Sequence, residues 1–310
     1  MNENQASLCP VCNEKGVLFH KSTFPGKDNT IYQLFQCGEC RTVFTCPRPT
    51  LDALTKAYDA YYWSETDIDK KKKGLKRLVA GFNSWRLKQV IRPLVKVLPP
   101  RATVLEVGCG AGQLSRILLE HDFQVEVTEY SHQMLSLVTE TLGVKGYPGD
   151  LTEIELNKRY DAIIFNNVLE HVLSPADNLR RAVSILNPGG FVFIEVPNID
   201  SWQFAVFRQH WYPLDIPIHL THFGPATLDS LAGQAGVTLY KRSFFSMRSS
   251  MAGIVVSLFP SFDPRNIRHK SSSWILFVYL GMQVAALPLA LIESLSGKGG
   301  IMRSIYRSYQ

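Results

Sequence analysis

The sequence predicts an α/β protein, with a mostly parallel sheet covered by helices on both faces and a small cysteine-bearing module ahead of it. From Thr103 onward the short runs TVLEV, QVEVTE, YDAIIFNNV and GFVFIEV alternate with helical stretches, the pattern of strands joined by crossovers. The first run opens into a loop with glycine at every second position. Residues 1–50 hold two C-x-x-C pairs among turn residues such as Pro10, Gly16, Pro25, Gly26 and Gly38.

A chain of 310 residues with 45% hydrophobic content can bury one large core and a small one, which excludes a disordered or fibrous protein. Its first twenty residues carry Cys9 and Cys12 rather than a basic start and an apolar run, so a cytoplasmic location is expected. The formal charge of +6 is unevenly spread. Between Lys70 and Arg101 stand eleven Lys or Arg and no Asp or Glu, leaving 22 basic against 27 acidic residues elsewhere. Within that segment Leu75, Leu78, Val79, Phe82, Trp85, Val90, Ile91 and Leu94 recur at roughly helical spacing, so a basic amphipathic helix is expected, bent or ended by Pro93. Such a helix packs beside the main domain as a solvated face, or meets an anionic membrane surface or acidic substrate.

Cys9, Cys12, Cys37 and Cys40 form C-x2-C-x24-C-x2-C. Two pairs on tight turns can place four thiolates tetrahedrally around Zn²⁺, with sulfur at every position and none left for water. The role expected is structural: a zinc ribbon with an enlarged hairpin. A redox C-x-x-C would not call for a second pair. Cys46 and Cys109 carry no assigned chemistry.

The strand TVLEV ends beside Glu106, after which Gly108, Gly110 and Gly112 let the backbone turn tightly and approach a ligand. A dinucleotide fingerprint needs its third glycine where Gln113 stands, so a different nucleotide-like ligand is implied. E-x-G-x-G-x-G after a strand resembles the first motif of class I S-adenosylmethionine-dependent methyltransferases. That resemblance implies a Rossmann-like, seven-stranded sheet. It also implies that Glu106 holds the methionyl ammonium region, that Gly108, Gly110 and Gly112 make room for the cofactor, and that a carboxylate ending the second strand, Glu129, accepts the ribose hydroxyls. Asp150 would meet the adenine amino group, and Asn166 with Asn167 would stand beside the methyl-transfer centre. The resemblance continues through LNPGGFVFIEVPN and HLTHFGPATLDSLAGQAGVTL, over residues 102–245, with GIMRSIYRSY as a candidate seventh strand.

The division expected is a zinc-binding module at 1–50, a helical and basic connection at 51–101 through Tyr58, Tyr61, Tyr62 and Trp63, and a methyltransferase domain at 102–310 with a hydrophobic insertion at about 251–299. The order of module, FTCPRPT, Tyr-Tyr segment and core resembles a bacterial group that includes sugar C-methyltransferases and methyltransferases of glycans and metabolites. The basic segment departs from the soluble sugar enzymes.

Methyl transfer requires alignment of the nucleophile and removal of its proton, work suited to histidine. PLDIPIHLTHF offers His219 and His222 after the fifth strand. In sugar C-methyltransferases a Glu-His pair lies here with Phe four residues on; His219 and Phe223 keep that register, while Ile218 stands in place of Glu. His219 is therefore the candidate base, with packing as its alternative role. Glu170 and His171 form a second set, read chiefly as a brace for the following helix. Trp202, Trp211 and Tyr212 are candidates for acceptor-pocket walls.

Residues 271–292 contain no charge and are long enough for a membrane helix. Pro288 interrupts them, and a single crossing would strand the seventh strand on the wrong side. A helix buried against the core, an interfacial or re-entrant insertion and a dimer contact are the options; peripheral attachment would put the protein at the inner face of the membrane. The expected reaction is methylation of a small molecule or glycan, which lipid attachment of the acceptor would suit. An RNA methyltransferase is the enzymatic alternative, disfavoured because FNNV lacks the N/D-P-P-Y/F motif, and nucleic acid is not an expected partner. A non-catalytic cofactor-binding scaffold is the third reading. Oligomeric state is not encoded in any of these signals.

Overall fold

The computed structural model describes residues 8–26, 30–50, 54, 75–247, 249–264 and 273–309. Tyr58, Tyr61, Tyr62, Trp63 and the lysines at 70–73 lie outside the described residues.

Three strands, β1 (Gly16–Pro25), β2 (Ile31–Cys37) and β3 (Val43–Cys46), build an antiparallel meander next to the four cysteines. The basic segment forms helix α1 (Leu75–Val95), with Pro93 in its last turn. Its buried side is Leu87, Val90, Ile91 and Leu94, whereas Trp85 is exposed. The remainder alternates: β4 (Thr103–Val107), α2 (Gln113–Glu120), β5 (Gln124–Glu129), α3 (His132–Leu142), β6 (Lys145–Pro148), β7 (Tyr160–Asn166), α4 (Pro175–Ser184), β8 (Leu186–Pro197), α5 (Trp202–Phe207), β9 (Thr221–His222), α6 (Pro225–Ala235), β10 (Val237–Ser243), α7 (Ser250–Leu258), α8 (Ser273–Leu295) and β11 (Ile301–Ser308).

The main sheet has seven strands in the order β10-β11-β8-β7-β4-β5-β6. β4 to β8 pair in parallel, and β11 enters antiparallel between β8 and β10. This is the Rossmann-like sheet the sequence predicts, and Ile301–Ser308 is its seventh strand. Successive residues of a strand face opposite sides, so Leu105, Ile163, Phe165, Val192 and Ile194 pack under α4 and α6, while Val104, Ala162, Ile164 and Phe193 pack under α1 and α2. Burial on both faces explains why these strands read as apolar runs.

β9 joins the other sheet. It pairs with β3 through Val43↔His222 and Phe44↔Thr221, making a four-stranded sheet whose edge strand comes from the loop after β8. A shared core reinforces the junction: Leu34 and Val43 of the cysteine-bearing module pack with Ile199, Phe204, Trp211 and Leu214. The rings of Phe19 and Phe204 stack at 6.1 Å.

Candidate active site

The glycine loop has the conformation its sequence requires. Gly108, Gly110 and Gly112 have φ of +66°, +50° and +68°, a region costly for residues with a Cβ. At Gly108 a Cβ would also stand 2.8 Å from Val168 Cγ2. Gly112 caps α2, leaving the first amides of the helix beside the loop.

Three carboxylates stand at the carboxyl ends of adjacent strands, where ligands of open α/β sheets bind. Glu106 is buried on β4 and accepts a hydrogen bond from the Ser115 hydroxyl. Burial pushes it up to about 8, against the pull of that hydroxyl and with the Glu129 charge adding to the rise. Glu129 ends β5 and is also buried; its Oε2 accepts from Gly110 N at 2.8 Å and its Oε1 from Ser131 N at 3.0 Å. The loop between β4 and α2 is thus tied to the end of β5, with the Glu129 carboxylate at its foot. Asp150, just past β6, accepts from the Thr152 hydroxyl at 2.6 Å and from Asn178 Nδ2 at 3.1 Å. On β7, Asn166 Oδ1 is buried with no hydrogen-bond partner among the described residues. An orphaned buried acceptor beside a glycine loop fits a ligand that supplies a donor there.

The two histidine sets that sequence treats separately meet in space. The rings of His171 and His219 lie edge to face with centroids 4.6 Å apart, and Glu170 Oε1 is 3.9 Å from His171 Nε2. Both Glu170 oxygens are buried without a hydrogen-bond partner among the described residues, and burial, with the Glu195 charge second, pushes the carboxyl up to about 8. One ligand atom from each of Glu170, His171 and His219 falls within 4.8 Å of the others, so the group can hold a divalent cation or pass a proton.

Hydrogen bonds fix the tautomers. His219 Nδ1 is 2.8 Å from the Pro213 carbonyl, which only accepts, so Nδ1 carries the hydrogen and Nε2 the basic lone pair. His171 Nδ1 makes the same kind of contact with Ile218 O at 3.2 Å. His222 is the reverse case. The one hydrogen of the Thr45 hydroxyl is given to His219 O at 2.8 Å, so His222 Nε2, at 3.2 Å, must donate to Thr45 Oγ1. Burial holds His171 and His222 at about 3, helped by the neighbouring His219, so both are neutral. Only His219 of the original pair presents a basic Nε2.

The module itself grips this loop, a contact between segments too far apart in the chain for any local pattern to mark. Thr45 N donates to Leu220 O at 3.0 Å. Arg48 donates to Leu220 O at 2.7 Å and to Leu173 O at 2.6 Å. Trp211, a candidate pocket wall, is buried in the shared core and donates to Gln203 Oε1 at 3.2 Å, so it packs instead.

The four cysteines converge as their spacing predicts. Cys9 Sγ lies 3.5 Å from Cys40 Sγ and Cys12 Sγ 3.4 Å from Cys37 Sγ, with all four sulfurs within 4.8 Å. Tetrahedral ligation at about 2.3 Å per Zn–S bond needs sulfurs about 3.8 Å apart. The free thiols therefore fit zinc, and among the described residues the set consists of four sulfurs.

A family profile described as "Methyltransferase domain" matches residues 81–241, a little over half of the chain. The chain belongs to the methyltransferase-domain family. Among curated relatives, the ubiquinone biosynthesis O-methyltransferase of Hydrogenovibrio crunogenus is 30% identical over 150 residues, 44% of this chain and 62% of the relative. That of Stutzerimonas stutzeri is 25% identical over 181 residues, 50% of this chain and 78% of the relative. The match thus spans less than two thirds of the first of them. Among solved structures, a sarcosine dimethylglycine methyltransferase from Galdieria sulphuraria superposes with a TM-score of 0.52 at 14% identity, covering 82% of this chain and 98% of that one. The [4+2]-cyclase SpnF superposes at 0.50 with 15% identity, covering 84% and 96%. These likenesses show the fold, and the second shows that methyltransferase-like architecture also carries other reactions.

Proposed function

We propose that this chain transfers a methyl group from S-adenosylmethionine to a small-molecule or glycan acceptor. The observation that carries the reading is the orphaned Asn166 Oδ1 beside the positive-φ glycine loop that Glu129 ties down. Glu129 would take the ribose hydroxyls, Asp150 the adenine amino group, and the backbone at Gly108 and Gly110 would admit the methionyl portion. S-adenosylmethionine, when bound, supplies a methyl carbon already activated by a sulfonium charge. The chain's own work is alignment and proton removal. His219 Nε2 takes the acceptor's proton, and the Pro213 carbonyl holds the ring in the tautomer that can do so.

The test is calorimetry with S-adenosylmethionine, followed by incubation of the protein with labelled cofactor and a fractionated lysate of metabolites, glycans and lipids. Micromolar-range binding and label in a discrete product are expected. Absence of cofactor binding, or binding with no label transferred to any fraction, would overturn the reading.

A further inference from the structure

Helix α8 is turned inside out for a water-facing helix. Its polar residues Gln283 and Glu293 point inward and are buried, and Glu293 accepts from Gln203 Nε2 at 2.5 Å. Its inward face, through Tyr279, Met282, Ala286 and Ala290, packs on Met251, Ile254, Val255 and Val256. The opposite face is a helical stripe of Trp274, Phe277, Val284, Leu291, Ile292 and Leu295, with Trp274 73%, Val284 69% and Leu295 88% exposed. The helix is therefore covered on one side only: its inward face is buried against the domain and its outward face is open. Contiguous exposed apolar surface of this kind marks an interaction site.

The geometry excludes a crossing. One face of α8 is fastened to the domain from Tyr279 to Glu293, and just past its end Lys298 O accepts from Trp202 N at 3.0 Å and Gly300 N donates to Glu293 Oε1 at 3.3 Å. The chain then returns to the central sheet as β11. A helix held along its length can lie in an interface but not pass through it.

Charge decides between occupants. With a formal net charge of +6, a second copy would bring like charge against like, whereas anionic lipid headgroups would neutralise it.

We propose that the outward face of α8 lies in the interface of an anionic bilayer, whose headgroups neutralise the net positive charge of the chain. The inference is independent of the methyl-transfer reading. It is tested by cosedimentation of the full chain with vesicles of equal phosphatidylcholine and phosphatidylglycerol, and with vesicles of phosphatidylcholine alone. Binding to the mixed vesicles should be roughly tenfold or more tighter than to the neutral ones and should weaken in salt. The double variant Val284→Glu, Leu291→Glu should lose roughly tenfold or more of that binding while its circular dichroism and thermal midpoint stay unchanged. No binding to the mixed vesicles, or equal binding by the double variant, overturns the proposal. So does a dimer in light scattering that the double variant converts to monomer without affecting vesicle binding, which would assign the face to a second copy.

Discussion

The Thr45 hydroxyl of the cysteine-bearing module donates to the backbone carbonyl of His219 at 2.8 Å, and the same oxygen receives the Nε2–H of His222. One buried side chain therefore sets the position of the candidate base and the tautomer of its neighbour. Thr45→Val keeps the shape and removes both bonds, leaving His219 O and His222 Nε2 unpaired. The expected cost is about 1–3 kcal/mol in chemical denaturation, with reduced turnover and unaltered cofactor affinity by calorimetry. Unchanged stability would show that water replaces the hydroxyl.

His219→Ala should leave cofactor binding nearly unchanged and lower turnover by roughly 100-fold to 10,000-fold, the range for loss of a general base. Steady-state kinetics across a pH series are the measurement. Near-normal turnover at every pH would remove His219 as the base.

Glu129→Ala should weaken both S-adenosylmethionine and its demethylated product. Charge-assisted hydrogen bonds contribute about 1.5–3 kcal/mol each, and the substitution also deprives Gly110 N and Ser131 N of their acceptor. Calorimetry that gives wild-type affinity for both ligands would take Glu129 out of the site.

Elemental analysis of protein purified without chelator should find about one zinc per chain. Cys37→Ser should lose that zinc and lower the thermal midpoint. Because Leu34 and Val43 share a core with Trp211 and Leu214, turnover should fall too, while cofactor affinity stays close to normal.

Glu170 makes a pH prediction whose sign follows from burial. Its carboxyl is raised from 4.5 to about 8 in the fold, so between those values the folded protein keeps a proton that the unfolded chain has lost. Its contribution is fully present below about pH 4.5 and disappears as pH rises through 8. His171 and His222, lowered to about 3, act oppositely: their contribution is present above 6.5 and lost as pH falls toward 3. Glu170→Gln should therefore flatten the decline in thermal midpoint between pH 5 and 8.5 without altering the acid limb. An undiminished decline would place the titrating group elsewhere, with Glu106 the next candidate.

Local patterns made much of this molecule legible. Glu129 and Asn166 stand at strand ends because runs rich in β-branched and apolar residues precede them, and the four cysteines converge because short spacings force tight turns. What sequence could not reveal depends on distant segments meeting. His171 and His219 are brought together only when the loop after β8 folds back over the end of β7, and no periodicity records that. Thr221–His222 is too short to read as a strand, and it becomes one only because β3 offers an edge. The outward face of α8 was hidden for another reason. A helix apolar on both sides has no polar stripe to show which side meets the protein.

The placement of β11 also sets an order of assembly. Among the described residues β10 has β11 as its one partner in the main sheet, so it must wait, after synthesis, for α7 and α8 to be made before that hydrogen-bonding edge is covered. During that interval the open edges of β8 and β10 and the apolar stripe of α8 are exposed together. Such pairings between distant segments form slowly, and an uncovered edge is a template for aggregation. The edge of the main sheet from β10 to β11 is therefore the last of the described parts of that sheet to close while the protein is being made.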